Sequence, residues 1–292
     1  MKVCLMIEGQ EGVTWPQWVA LARAAEDARL DALFRSDHYR AIGRGDPNGA
    51  LDAWGTICGL AAITSTIRLG TLVTPVTFRR PSVLAKLVTT ADHISGGRVE
   101  LGLGAGWYES EHTAYGFDFM TTTGRLDELD RQLAEITRQW TKAEDVQPRS
   151  VQHPRPPIIV GGRAKPRTVA IAVRYADEYN TVSPSVDEAR ERARLVADAA
   201  REAGREPLRF SMMIGCVVGR DAGEVADRLA AIDAATGRQA EPPPIAGTLE
   251  EVVDRLRQYE AAGVERAMLQ HLHHEDLEMV ALLGDVADAL RR

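Results

Sequence analysis

The stretch Pro157-Ile158-Ile159-Val160-Gly161-Gly162-Arg163-Ala164-Lys165-Pro166-Arg167-Thr168 decides the fold. Its opening residues are apolar without alternation, as in a strand covered on both faces of a parallel sheet. Two glycines follow, where the chain must turn. Pro166 then suits the first turn of a helix, because that position needs no backbone N–H. One short stretch therefore reads as strand, tight turn and helix start.

The same order recurs along the chain. Strand candidates begin near Val3, Ala32, Ile67, Val99, Pro157, Glu178, Leu208 and Arg266. Helical patterns cover residues 15–29, 51–65, 82–94, 123–142, 166–176, 187–203, 222–235 and 275–291. In the first of these, Trp18, Leu21, Ala22, Ala25 and Ala28 line one face at the helical period. Eight such units in a row predict an α/β protein with a closed (β/α)8 barrel, the TIM barrel, rather than an open sheet. Two connections are long: residues 104–122 after the fourth strand, and 237–247 with an extra helix over 248–261 after the seventh. Thr248 and Glu251 have the spacing of a capping box. Glu241-Pro242-Pro243-Pro244 cannot be helical. Long connections at strand C-terminal ends are where barrels keep their active sites. No linker rich in Gly, Ser or Pro divides the chain, so residues 1–292 read as a single domain.

Composition narrows the function classes. Apolar residues make up 45% and charged residues 26%, which excludes disorder as the main state. Lys plus Arg number 35 against 42 Asp plus Glu, net −7, which argues against a broad nucleic-acid face. The three cysteines, Cys4, Cys58 and Cys216, are too few and too scattered for a disulfide framework or a CxxC metal site. The apolar run at Val3-Cys4-Leu5-Met6-Ile7 is too short for a secretory signal. No run approaches the ~20 apolar residues that span a bilayer. A cytoplasmic protein with no membrane partner and no bound metal is expected.

The residues just after each strand carry the chemistry. Asp37 and His38 follow the second strand, an acid and an imidazole able to hold a ligand or move a proton near neutral pH. A loop-capping histidine is the plain alternative. Thr74 precedes Pro75, so its backbone is extended and its hydroxyl is available to the mouth, or it is simply a strand residue. Gly102, Gly104 and Gly106 alternate at the fourth strand end, where the chain must turn tightly or let something approach its backbone closely. This is not a dinucleotide-binding GxGxxG, since no helix follows at once. Trp107 and Tyr108 either wall a flat ring or pack under the inserted loop. Gly161 and Gly162 lead into a helix N-terminus with Arg163, Lys165 and Arg167 beside it, a cradle suited to phosphate. The alternative there is a glycine turn with solvated bases. His271, His273 and His274 follow the eighth strand. They read as a loop cluster, with His271 near enough to the strand end to reach the mouth.

Taken together, Phe34-Arg35-Ser36-Asp37-His38-Tyr39, Gly70 to Pro75, Gly102 to Trp107, Gly161-Gly162 with Pro166-Arg167-Thr168, and Gly247 to Gly263 resemble the luciferase-like oxidoreductases. The Ser-Asp-His element resembles the branch that uses the deazaflavin coenzyme F420. The resemblance implies a (β/α)8 barrel holding F420, or alternatively FMN, at the strand C-terminal ends. It implies that Asp37 contacts the cofactor and that His38 donates a proton. It further implies cofactor contacts at Thr74, at the Ala105-Gly106 backbone and at a non-proline cis peptide between Thr71 and Leu72. The cofactor phosphate would fall at Gly161, Gly162, Arg163, Lys165 and Thr168. Related sugar-phosphate dehydrogenases carry a catalytic glutamate directly after the glycines, where this chain has Trp107. Glu109 or Glu111 could replace it, and Glu109 is carried forward as the candidate.

A mouth lined by Trp107, Tyr108 and Phe78, with His271, suits a largely apolar small substrate. The acidic tail of F420 would meet Arg79, Arg80, Arg163, Lys165 and Arg167. The expected activity is hydride transfer between F420 and a small organic molecule. The alternative is an FMN-dependent monooxygenase. A barrel that only binds a flavin-like ligand is a third reading, set against by Asp37, His38 and the glycine pair. The expected partners are that small substrate and a second copy of the chain in a homodimer.

Overall fold

The computed structural model describes residues 1–42, 49–236 and 243–292. In chain order the strands are β1 (Lys2–Ile7), β2 (Ala32–Arg35), β3 (Arg68–Thr71), β4 (Thr74–Pro75), β5 (Val99–Gly104), β6 (Ile158–Gly161), β7 (Glu178–Val182), β8 (Arg209–Gly219), β9 (Ile245–Thr248) and β10 (Arg266–Gln270). The helices are α1 (Trp15–Asp27), α2 (Ala53–Ile63), α3 (Pro81–Ser95), α4 (Glu109–Tyr115), α5 (Thr122–Thr141), α6 (Pro166–Tyr175), α7 (Val186–Glu202), α8 (Ala222–Thr236), α9 (Leu249–Ala261) and α10 (Leu277–Arg291).

Eight of the strands run parallel in the order β1-β2-β3-β5-β6-β7-β8-β10, and β10 pairs with both β8 and β1 to close the ring. The fold is a TIM barrel. Two short strands lie off this ring. β4 resumes the line of β3 after Leu72 and Val73 and pairs with β5. β9 pairs with the outer end of β8, from Cys216 to Gly219. Of the sequence reading, residues 237–242 lie outside the described residues, and with them Glu241 and Pro242. Among the described residues no helix is long and apolar enough to cross a membrane, and no group of three His, Cys, Asp or Glu could hold a metal ion.

Strand periodicity divides the core into two layers. On β1, Val3, Leu5 and Ile7 pack outward against the helices. Cys4 and Met6 point inward, where they join Ala32, Phe34, Leu72, Ile159 and Met268. Gly284 of α10 packs on α1, where an added Cβ would meet the Ala28 carbonyl at 2.8 Å.

The barrel interior is not apolar throughout. At its N-terminal end the fully buried Arg266 of β10 donates to Glu100 of β5 at 2.7 and 3.1 Å, to Glu178 of β7 at 3.2 Å and to the Cys4 sulfur at 3.1 Å. It also pairs with Asp31, just before β2, at 2.8 Å, and lies over the Phe34 ring. Burial alone would raise the Glu100 pKa, but Arg266 and Arg68 hold it down at about 2. Glu178 goes the other way: burial and the nearby Glu100 charge raise it against Arg266.

Removing Arg266 therefore leaves Glu100 and Glu178 buried with much of their compensation gone. Arg266→Met should cost about 3–5 kcal/mol, the range for breaking a buried pair by deleting one partner. Adding Glu100→Gln to that variant should recover part of the loss. Urea unfolding midpoints of the wild type, single and double variants check this. A single variant as stable as the wild type would show that the cluster adds nothing to the fold.

Candidate active site

The strand C-terminal ends converge on one mouth. Its floor is apolar, because Leu72 packs into the barrel interior with Met6, Phe34, Ile159 and Met268, and Val73 and Met213 rest on the same group. The glycines of β5 make this possible. A Cβ on Gly102 would lie 2.0 Å from the Thr71 carbonyl oxygen, and one on Gly104 would lie 2.5 Å from a Val73 methyl. What approaches the glycine backbone is therefore the chain's own segment between β3 and β4. That segment holds a non-proline cis peptide at Leu72–Val73, one residue beyond the expected Thr71–Leu72. The Leu72 N–H donates to the Arg35 carbonyl at 2.8 Å, so the earlier peptide still belongs to the β2 ladder.

Asp37 and Thr74 meet, as both were expected at the mouth, but their polar atoms are already engaged. The buried Asp37 carboxylate accepts from the Thr74 hydroxyl at 2.8 Å and from Arg79 at 2.6 and 3.4 Å. Arg79 also pairs with Asp52. The Thr74 oxygen accepts from the Trp54 indole at 3.0 Å. Its single proton is better given to the charged Asp37 than to Thr71, which it reaches at 3.1 Å. Thr71 in turn donates to the Gly102 carbonyl at 2.9 Å. Thr71 and Thr74 are fully buried and build the wall rather than line an open surface.

His38 is the half-open group. Its Nδ1 lies 2.8 Å from Glu111 Oε1, and the other Glu111 oxygen accepts from the Tyr39 N–H at 3.1 Å. Nε2 has no hydrogen-bond partner among the described residues. The rings of Trp107 and Tyr108 stack on each other with centroids 5.3 Å apart. Both stand edge-on to the imidazole, at 5.9 and 6.1 Å. Burial alone would lower the His38 pKa, but the hydrogen bond and charge of Glu111, with Glu8 and Asp37 behind, raise it above the ordinary histidine value.

The glutamate that meets His38 is thus Glu111 and not Glu109. Two helical residues differ by roughly 200° of rotation, so when Glu111 of α4 turns inward Glu109 faces solvent. Trp107 is 61% exposed and Tyr108 half-buried, whereas Phe78 is withdrawn. It packs beneath α4 against Tyr39, His112 and Phe117, at 5.0, 5.2 and 4.8 Å. His271 is also withdrawn. It is fully buried at the end of β10, neither ring nitrogen has a partner among the described residues, and burial pushes its pKa down to about 3. It stays neutral and does not open onto the mouth.

Gly161 and Gly162 are half-exposed beside Ala105 and Gly106. Space, not backbone conformation, favours glycine at residue 162, whereas a Cβ on Gly161 would meet nothing closer than the Asn180 carbonyl at 3.4 Å. A Cβ on Gly162 would come within 3.0 Å of the Tyr179 hydroxyl and 3.3 Å of Thr168. Tyr179 accepts from the Ala164 N–H at 2.9 Å and fixes the turn, and Ala164 takes the left-handed φ of 51°. Gly162 spends its own N–H on the Asn180 carbonyl. α6 begins without a side-chain cap, so the N–H groups of Arg167 and Thr168 remain unused within the helix. Of the expected cations, Arg163, Lys165 and Arg80 are exposed and make no ion pair among the described residues, while Arg167 pairs with Asp127 and Arg79 is held by Asp37.

Comparison with known proteins identifies the family. The family model described as luciferase-like monooxygenase matches residues 2–290. An uncharacterized protein of Mycobacterium tuberculosis is 31% identical over 222 residues, covering 71% of this chain and 72% of the relative. The F420-dependent hydroxymycolic acid dehydrogenase of the same organism is 27% identical over 201 residues, 65% of this chain and 55% of the relative. The oxygenating constituent of 3,6-diketocamphane monooxygenase from Pseudomonas putida, a Type II Baeyer–Villiger monooxygenase solved with FMN, has a TM-score of 0.80. It is 15% identical and covers 99% of this chain and 98% of that one. With its barrel, its mouth and a family match over nearly its whole length, the chain belongs to the luciferase-like monooxygenase family.

Proposed function

We propose that the protein is an F420-dependent oxidoreductase acting on a small, largely apolar organic substrate. The observation that carries this reading is the state of His38: Nδ1 held by Glu111, Nε2 open, and two aromatic rings against its edge. The deazaflavin, when bound, exchanges a hydride and leaves the matching proton to the protein. His38 can carry that proton on Nε2, because its raised pKa keeps the ring protonated closer to neutral pH.

The rest of the mouth fits a flat ring with a phosphate. Leu72 and Val73 give an apolar floor, and Trp107 and Tyr108 an aromatic rim. The uncapped start of α6 leaves backbone donors for a phosphate next to the Gly161-Gly162 turn, with Arg163 and Lys165 exposed beside them. Asp37 serves the ring site as a carboxylate fixed by Arg79 and Thr74.

One observation favours the second reading, an FMN-dependent monooxygenase. FMN lacks the acidic tail of F420, and Arg79 and Arg167, two of the cations expected to meet that tail, are already paired.

Titrating the protein with F420 and with FMN at low and high salt separates the two readings. We expect F420 to bind more tightly at low salt, with an advantage that shrinks as exposed Arg80, Arg163 and Lys165 are screened. Tighter FMN binding at low salt would establish the second reading.

His38→Ala should keep F420 binding and lower the oxidation of reduced F420 by a panel of small ketones and enones ~10²–10⁴-fold. A proton donor with a raised pKa is loaded below its folded midpoint. The wild-type rate should therefore hold at low pH and fall as pH rises through that midpoint. A rate that instead rises with pH across this range would exclude His38 as the donor.

A further inference from the structure

Trp107 stands directly after Gly106, and the carboxylate that meets His38 comes from α4 instead. We infer that Glu111 of α4 is a positioning residue, fixing the His38 ring so that Nδ1–H is spent on the carboxylate and Nε2 alone faces the substrate. This rests on the reading of His38 as the proton carrier.

The geometry is specific to a carboxylate. Glu111 is almost wholly buried and serves two donors at once, the His38 ring at Oε1 and the Tyr39 N–H at Oε2. A carboxylate accepts at both oxygens, whereas a carboxamide has one acceptor and would set its own N–H against one of these donors. Arg79 is committed to Asp37 and Asp52, and among the described residues Glu111 makes no ion pair but that with His38. Its natural counter-charge is the imidazolium. The other groups facing His38 are Glu8 from the end of β1, Asp37 and Tyr39 on its own loop, and Tyr108 before α4. Glu8 is already held by Gln10 and Gln270, at 2.8 and 2.6 Å, and Asp37 by Arg79. Among the described residues only Glu111 touches the ring with a charge.

Glu111 also joins two distant parts of the chain. It lies 73 residues from His38, and its second oxygen grips the backbone of the same loop. Other bonds run alongside: Tyr115 donates to the Tyr39 carbonyl at 2.9 Å, Tyr108 to the Ala41 carbonyl at 3.2 Å, and Arg40 to Ser110 at 2.8 Å. The loop after β2 and the helix after β5 are therefore one unit, with the carboxylate at its buried centre. Glu111 acts through His38 and does not itself reach the substrate.

The test needs neither cofactor nor substrate, so its failure is separable from failure of the F420 reading. Nitrogen-15 NMR of the full chain, with the His38 signals assigned by their loss in His38→Gln, reports ring titration and tautomer. In the wild type the neutral ring should carry its proton on Nδ1, and the midpoint should lie above the ~6.5 of a free histidine. In Glu111→Gln the midpoint should fall, and the Tyr39 or His38 hydrogen bond should be lost. Equal midpoints in the two proteins would overturn the assignment. So would a wild-type neutral ring protonated on Nε2, a result that requires no variant and stands even if Glu111→Gln does not fold.

Discussion

One guanidinium holds the closed end of this barrel together. Arg266 reaches residues on or beside β1, β2, β5 and β7 from its own place on β10, so a single side chain ties strands distributed over most of the chain. A ring of parallel strands has no free edge, and its register is shared all the way round. A charge that can be satisfied only when Glu100, Glu178 and Asp31 all arrive fixes that register more strictly than interchangeable apolar side chains would. The cost is desolvation of the buried charges, offset by their mutual attraction in a poorly polarisable interior. The opposite end of the same interior carries Leu72, Val73 and Met213, and is free to serve as the floor of a site.

Between these ends, the β5 glycines set where the mouth can be. Gly102 and Gly104 let the segment between β3 and β4 lie against the β5 backbone, which drops Leu72 and Val73 into the barrel. Trp54 then donates to Thr74 and Thr74 to Asp37, while Thr71 donates to the Gly102 carbonyl. Any side chain at Gly102 would strike the Thr71 carbonyl, so the floor and the acid beneath the rim depend on the same absent atom. This wall is rigid because its donors and acceptors are matched within the protein.

Much of the architecture was legible in the sequence. The barrel strands are short, continuous apolar runs with breakers at their ends, and this signal survives without any knowledge of partners. The Arg266 cluster was not legible, because its members lie up to 262 residues apart and only ring closure brings them together. The β5 glycines were readable as a tight turn or a close approach, and only the structure shows that Thr71 and Val73 approach them. Glu111 was within sight as one of two candidates. Choosing it required the rotation of α4, and no periodic pattern over seven residues sets that rotation. Phe78 and His271 look like mouth residues because they follow strands. Packing turns the first under α4 and seals the second at the end of β10.

The placement of α4 has a consequence for how such a protein can diverge. The helix that carries Glu111 lies in the connection between β5 and α5, outside the ring of strands and its register. Substitutions, insertions or deletions there leave the hydrogen-bond ladder of the barrel untouched. Descendants of this chain could therefore exchange the group that governs the imidazole while inheriting the scaffold unchanged. Selection on chemistry and selection on folding act here on separate stretches of sequence.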